Sequence, residues 1–203
     1  DLRRRTTHVS FMRLLLFLVP AVLTGLLSGA PQLAYAQSAA QPGAKVSTKP
    51  QTLDDMFIEL RRAKSEAAAG GVAERIKERW DKSGSATVDL LMQWAGEAMD
   101  RKDWAATQDF LDQVVVLKPD FAEGWNRRAT MHYLAGNFPK SMADIERTLA
   151  LEPRHFGALA GMAIIFLEIG KKEPALAAYK RVLEVYPQMR EAQRQVGELE
   201  DEL

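Results

Sequence analysis

Two histidines, His132 and His155, are the side chains in the second half of the sequence best suited to acid–base or metal chemistry, because imidazole titrates near neutral pH and ligates metal ions. Neither has a second histidine or a suitably spaced carboxylate beside it, so no metal site is expected. The chain has no cysteine, which excludes disulfides and thiol nucleophiles. Motifs typical of serine hydrolases, phosphate-binding loops and zinc proteases are also missing. We therefore predict a protein that is not an enzyme and needs no cofactor.

The strongest regularity is a 34-residue period marked by Pro119, Pro153 and Pro187. When each proline is numbered as position 32 of its repeat, positions 4, 24 and 30 hold apolar residues and positions 8 and 20 hold small ones. The small residues are Ala95, Ala129 and Ala163 at position 8, and Thr107, Ser141 and Ala175 at position 20. Because small side chains let helices approach to about 8–10 Å, this pattern predicts close-packed helical hairpins.

Apolar residues at helical spacing predict two helices in each repeat. First helices are expected over 88–99, 122–134 and 156–169, and second helices over 104–117, 139–151 and 174–185. Each second helix ends before its proline, which cannot continue a helix. A single hairpin cannot bury its own apolar face, so we predict an all-α solenoid of stacked hairpins.

These repeats resemble the tetratricopeptide repeat (TPR) family, a 34-residue helix–turn–helix unit with an aromatic residue or leucine at position 4, small residues at 8 and 20, and proline at 32. The middle repeat matches best, through Trp125, Ala129, Gly136, Phe138, Ser141, Ile145 and Pro153. The first repeat departs at Lys102, where the family has glycine, and the third at Lys172, where it has an aromatic residue. The resemblance implies three repeats, at 88–121, 122–155 and 156–189.

Weaker patterns flank the repeats. Residues 52–85 are interpreted as a degenerate repeat or a simple helical pair that caps the N-terminal end of the array, with Thr52 as an N-cap and a second helix over 72–82. Residues 190–203 predict a largely charged helix that caps the C-terminal end.

The N-terminal region has the layout of a cleavable export signal over residues 1–36. An apolar run, residues 14–27, follows several arginines and precedes Ala34-Tyr35-Ala36, which predicts cleavage after Ala36. The run is shorter than the roughly 20 residues that span a bilayer, so no membrane span is expected after cleavage. Met12 is a possible start, and residues 37–51 are expected to be a flexible linker. The signal and the alanine-rich helices are similar to those of periplasmic bacterial TPR proteins.

The overall charge argues against nucleic acid as a partner. The chain has 27 basic and 27 acidic residues, and removal of residues 1–36 takes away more basic than acidic ones. Binding to a polyanion depends on clusters of Lys and Arg, and the sequence contains no such patch with interleaved aromatics. We expect a protein partner instead.

One departure from the repeat pattern predicts an ion pair. Position 7 is apolar in the first and third repeats but is Arg128 in the second. Position 23, on the facing helix, is acidic only in the second repeat, as Asp144. An Arg128–Asp144 pair is therefore predicted, with Arg128 extending to solvent as the alternative.

The resemblance implies a concave groove lined by the first helices. The groove residues that it assigns as partner-binding are Asp89, Met92, Met99, Glu123, Asn126, Thr130, Tyr133, Ile164, Leu167 and Glu168. The family's carboxylate-binding clamp would need Lys, Asn, Lys and Arg at Met92, Gly96, Gly157 and Gly161, so capture of a C-terminal carboxylate is disfavoured.

We therefore interpret the protein as a non-enzymatic scaffold of the bacterial cell envelope that binds a peptide or amphipathic helix in this groove. A groove covered by the chain itself is one alternative, because apolar stripes at helical spacing are usually core. A structural module that self-associates into a homo-oligomer through its end faces is the other.

Overall fold

A computed structural model describes residues 51–203, and this part of the chain is all α-helical. The nine helices there are α1 (Leu53–Arg62), α2 (Glu66–Trp80), α3 (Ala86–Asp100), α4 (Trp104–Leu117), α5 (Ala122–Leu134), α6 (Phe138–Leu151), α7 (Phe156–Glu168), α8 (Lys172–Val185) and α9 (Arg190–Glu202). The predicted export signal and all but the last residue of the predicted linker lie outside the described residues.

The three repeats form a stack of hairpins, which confirms the predicted solenoid fold. Within each repeat the helices pack as pairs, α3 with α4, α5 with α6 and α7 with α8. The second helix of each pair then packs on the next helix along the chain, α4 on α5, α6 on α7 and α8 on α9. Because each hairpin contacts mainly its neighbours, the fold is built from local packing of the kind that a solenoid requires.

The small residues of the repeat lie where the two helices of a hairpin touch. Ala95, Ala129 and Ala163 are almost fully buried, as are their partners at position 20. In the middle repeat the Ser141 hydroxyl donates a hydrogen bond of 2.7 Å to the carbonyl oxygen of Ala129 on the facing helix. A larger side chain at either position would separate the helices and open a void in the core.

The turns inside the hairpins share one backbone conformation. Gly136 and Gly170 have φ of 76° and 72°, and Lys102, the departure noted in the first repeat, has φ of 57°. In all three turns the following amide donates to a carbonyl five residues back, as in Asp103 to Ala98, which closes the helix end in the manner of a Schellman motif. Lys102 therefore keeps the turn geometry in a left-handed conformation that costs a non-glycine residue about 1 kcal/mol.

The N-terminal helical pair differs from the sequence prediction in its start. Thr52 and Asp55 form the capping box of α1, in agreement with the proposed N-cap. Helix α2, however, begins at Glu66 behind the N-cap Ser65, six residues before the predicted start. The alanines and glycines that open α2 show almost no apolar periodicity. The sequence therefore did not predict that residues 66–71 are helical.

The position of the α1–α2 pair also differs from the prediction that it caps the N-terminal end of the array. Neither helix packs extensively on α3, whereas α1 packs on α8. The core of the pair, which includes Phe57, Ile76 and Trp80, is shared with Phe156 and Tyr186 of the third repeat. The aromatic side chains Phe156 and Tyr186 supply the apolar surface on which this pair packs.

Helix α9 covers the other end of the array. Ala192 and Leu199 are buried against the core of the third repeat, and Val196 packs beside them. The remaining face carries ion pairs within the helix and to α8, such as Lys180 to Glu200 at 2.6 Å. One apolar stripe and a charged outer face are what the terminal helix of a solenoid needs.

Candidate partner-binding cleft

An apolar cleft of ≈ 280 Å³ lies between the first helices of the second and third repeats. Its walls come from α5 and α7, and its floor comes from α6. The lining residues are Asn126, Ala129, Thr130, Tyr133, Leu134, Ser141, Ile145, Gly157, Ala158, Ala160, Gly161, Ile164 and Ile165. This volume lies just below the roughly 300–1,000 Å³ of small-molecule sites, which suits one or two inserted side chains.

Small residues on α7 create the cleft. Gly157, Ala160 and Gly161 face α5 where longer side chains would fill the space. A Cβ atom on Gly161 would come to 3.6 Å from the Ile145 side chain, an ordinary contact distance, so the backbone does not require glycine there. Leu134 and Ile164 stand at the rim and are 51% and 37% exposed, so the apolar surface continues to solvent.

One end of the cleft is bounded by a polar cluster built around His155. The side-chain Nδ1 of His155 accepts a hydrogen bond of 3.0 Å from the backbone N–H of Ala158 and so caps α7. Nε2 lies 3.0 Å from a carboxylate oxygen of Glu123. Since Nδ1 is an acceptor, Nε2 carries the proton in neutral His155 and donates to Glu123. The histidine is therefore a structural link between α5 and α7.

The α1–α2 pair is attached to the same cluster. The Trp80 ring stacks on His155 with centroids 4.1 Å apart, and lies 5.0 Å from the ring of Phe156. Arg127 of α5 binds Asp81 at 2.9 Å, just after α2, and also contacts Glu123 at 3.3 Å. Helix α2 thus lines a separate pocket beside the cleft, together with Glu123, Arg127 and His155.

The predicted pair of Arg128 and Asp144 is present as a bidentate contact. Nε and Nη2 of Arg128 donate to the two carboxylate oxygens of Asp144 at 2.8 and 2.7 Å. The third donor, Nη1, binds Asp112 of the preceding repeat at 2.7 Å. Hydrogen bonding to Asp144 raises the pKa of Arg128 above its ordinary value. The guanidinium therefore joins three helices, α4, α5 and α6.

His132 lies close to this network but does not join it. It is 6% exposed, and its Nε2 is 3.8 Å from Asp144, beyond hydrogen-bond distance. Among residues 51–203, the His132 side chain is therefore buried without a hydrogen bond. Burial lowers the pKa of His132, which favours its neutral form in the folded protein.

Of the residues that were predicted to line the groove, only some line the cleft. Asn126, Thr130, Tyr133 and Ile164 line the cleft. Met92 is 5% exposed, and Met92 and Met99 pack in the core of the first repeat. Asp89 accepts hydrogen bonds from Ser83 in the segment before α3. Glu123 is held by His155 and Arg127, Leu167 packs in the core of the third repeat, and Glu168 is exposed at the end of α7, outside the cleft.

Ile145 was not assigned to the groove from the sequence, although it forms the floor of the cleft. It occupies a core position of a second helix, and a buried position gives no sign that it borders an opening. The two glycines at the start of α7 were the available signal, because they remove side chains from a wall that is otherwise apolar.

Comparison with known proteins identifies the family. The chain is 48% identical over 157 residues to a TPR repeat-containing protein of Rhizobium etli, and the match covers 77% of each protein. The chain belongs to the TPR family. No family profile matches the sequence.

Solved structures agree with this TPR fold. The first TPR domain of Spaghetti (RPAP3), bound to the HSP90 peptide SRMEEVD, aligns with a TM-score of 0.55 at 19% identity over 58% of this chain and 93% of that one. A MamA protein aligns with a TM-score of 0.52 at 17% identity over 73% and 79% of the two chains. Within residues 51–203 of this TPR protein, none of the helices combines the length and apolarity needed to cross a bilayer.

Proposed function

We propose that this TPR protein is a non-enzymatic scaffold of the bacterial cell envelope that binds a peptide or amphipathic helix of another protein in the cleft between α5 and α7. The observation that carries the proposal is the open apolar cleft between the first helices of adjacent repeats. Its rim residues Leu134 and Ile164 are exposed, so an incoming side chain can enter without any rearrangement.

The chemistry of the cleft favours an apolar side chain as the inserted group. Its lining consists mainly of aliphatic side chains, with Asn126, Thr130 and Tyr133 as the polar partners available along α5. A helix that docks in a groove uses apolar residues at helical spacing for affinity and nearby polar groups for orientation. The four positions at which the family would clamp a carboxylate hold methionine and glycine, so a terminal carboxylate is not the proposed ligand.

The envelope location is supported by the N-terminal sequence. Residues 14–27 are apolar, follow Arg13 and precede Ala34-Tyr35-Ala36, which is the order of an export signal. We expect the mature protein to begin at Gln37 and to be released by osmotic shock. N-terminal sequencing of protein from fractionated cells measures both properties. An uncleaved chain in the cytosolic fraction would contradict the location and leave the cleft unaffected.

The cleft is tested by placing a charge on its rim. Ile164→Glu puts a carboxylate where the partner's apolar side chain would sit, and we expect loss of the captured partner because desolvation of that charge opposes docking. The full chain is used as bait in a bacterial envelope extract, and captured proteins are compared by mass spectrometry.

Ile169→Glu is the matched control for this experiment. Ile169 is 46% exposed at the end of α7 and lies outside the cleft, so the same change in charge should leave capture intact. If Ile164→Glu and wild type captured the same proteins in the same amounts, the cleft would not be the binding site.

A further inference from the structure

The first repeat has an end face that no other part of the described chain covers. In the second and third repeats, the residues at positions 3, 7 and 10 contact the preceding hairpin. Arg128 binds Asp112, a Cβ atom on Gly124 would meet Val114, and Met131 joins the core of the first repeat. In the third repeat, Ala158, Met162 and Ile165 pack with core residues of the second.

Two of these three positions carry exposed apolar residues in the first repeat, and the third, position 10, is the exposed Glu97. Position 3 is Leu90 and position 7 is Trp94, and each side chain is 42% exposed. The ring of Trp94 contacts Phe110 of α4, with centroids 5.7 Å apart. Leu117 lies seven residues after Phe110 on the same stripe of α4 and is 57% exposed, whereas Leu151 and Val185 are partly buried at the equivalent position. We call Leu90, Trp94, Phe110 and Leu117 the end face.

The end face is open because the α1–α2 pair packs elsewhere. A preceding hairpin would cover Leu90 and Trp94, but α1 and α2 are anchored on the third repeat through Trp80, Phe156 and Tyr186. Three ion pairs also join α1 and α2 to the loop before α7, to α9 and to α5: Asp54 with Arg154 at 2.7 Å, Glu66 with Arg190 at 2.6 Å and Asp81 with Arg127 at 2.9 Å. An apolar end of a repeat array normally requires a cap.

We propose that the end face binds the end face of a second copy of this chain and forms a two-fold dimer. Leu90 and Trp94 are one helical turn apart, so antiparallel pairing of the two α3 helices places Trp94 of each copy against the partner's Leu90. This register sets Glu97 beside the N-terminal turn of the partner's α3, where the helix dipole favours an acid. Glu97 and Arg101, the residue that follows α3, continue this stripe with opposite charges, so the stripe itself carries no net charge.

The size of the end face predicts a weak dimer. Helix α3 has 15 residues and is therefore about 22 Å long, and two packed helices are about 20 Å wide. The face measures on the order of 400 Å² in each copy, so the pair buries about 800 Å², which is below the roughly 1,000 Å² of stable interfaces and in the range of weak, transient ones. A dissociation constant in the micromolar range is expected.

The mass of the full chain is measured by sedimentation equilibrium from low micromolar to several hundred micromolar concentration. Wild type should pass from one chain to two, and Leu90→Glu should weaken the dimer by at least about tenfold, or about 1.4 kcal/mol. Ile58→Glu is the control, because Ile58 is a 40% exposed helical residue on α1. Dimerisation of Leu90→Glu with wild-type affinity, or a wild type that stays monomeric throughout, would overturn the proposal.

A crosslinking measurement keeps the test independent of folding defects. The chain has no cysteine, so Gln93→Cys introduces a single thiol next to Trp94, and Ala177→Cys introduces one on the exposed side of α8. Oxidation should give a covalent dimer of the first variant and not of the second. Equal crosslinking of both, or of Ala177→Cys alone, would contradict the end face as the interface. Ile164→Glu should still dimerise, which separates this inference from the cleft.

Discussion

At the scale of single residues, the Arg128 cluster shows how one charged side chain is accommodated in a packing layer. Asp144 is 7% exposed and Arg128 18% exposed, whereas Asp112 is 46% exposed. The guanidinium also lies over the Trp125 ring, 4.8 Å from its centroid. Two carboxylates and an aromatic ring therefore replace the water that the Arg128 guanidinium loses on burial. The two carboxylates contribute unequally to stability, because solvent screens the exposed Asp112 far more than the buried Asp144.

This inequality predicts different costs for removing the two acids. Asp144→Ala should lower the free energy of unfolding by about 2 kcal/mol or more, because Arg128 then stays largely buried with only a partly exposed partner. Asp112→Ala should cost less than about 1 kcal/mol, as is usual for an exposed pair. Urea denaturation followed by circular dichroism measures both values. If both variants lost the same free energy of unfolding, burial would not be what sets the strength of these ion pairs.

At the scale of elements, Trp80 is the central aromatic side chain in the packing of the α1–α2 pair. Trp80 packs between Phe57, His155 and Phe156, with ring centroids 4.1 to 5.9 Å apart. Its indole Nε1 is buried and has no hydrogen-bond partner among the described residues. The ring therefore stabilises the docked pair through its apolar surface, while the unpaired N–H opposes it.

Two substitutions at Trp80 should separate these effects. Trp80→Ala removes the ring and should cost about 3 kcal/mol or more, expressed as release of α1 and α2 from the third repeat. Trp80→Phe keeps most of the apolar surface and removes the unpaired donor, so it should cost clearly less. Hydrogen exchange read by mass spectrometry should show faster exchange in α1–α2 with little change in α5–α6. Uniformly faster exchange over all helices would mean that the pair does not open as a separate unit.

At the scale of the whole molecule, residues 51–203 form an array that is covered at one end and uncovered at the other. Helix α9 covers the third repeat with a short apolar stripe. The α1–α2 pair, which could have covered the first repeat, instead packs on the third repeat and lines a separate pocket beside the cleft. This placement exposes the proposed dimer face, and the Leu90 and Ile164 variants address that face and the proposed binding cleft one at a time.

The sequence by itself determined the repeat architecture. Helix periodicity, small residues at helix contacts and prolines after second helices are local features, and each repeat shows them again, so the hairpins and their stacking were predictable. The ion pair of Arg128 and Asp144 was predictable for the same reason, because the register of the repeat places both residues on facing helices.

Only the tertiary structure decided where the α1–α2 pair lies and which groove residues remain open. Met92 is buried and Ile164 is exposed, although the resemblance to TPR proteins implied that both line the groove. The docking of Trp80 on His155 joins residues far apart in the sequence and follows no period. Such contacts depend on the shapes of surfaces that exist only after the repeats have stacked, and nothing in the local pattern of either segment encodes them.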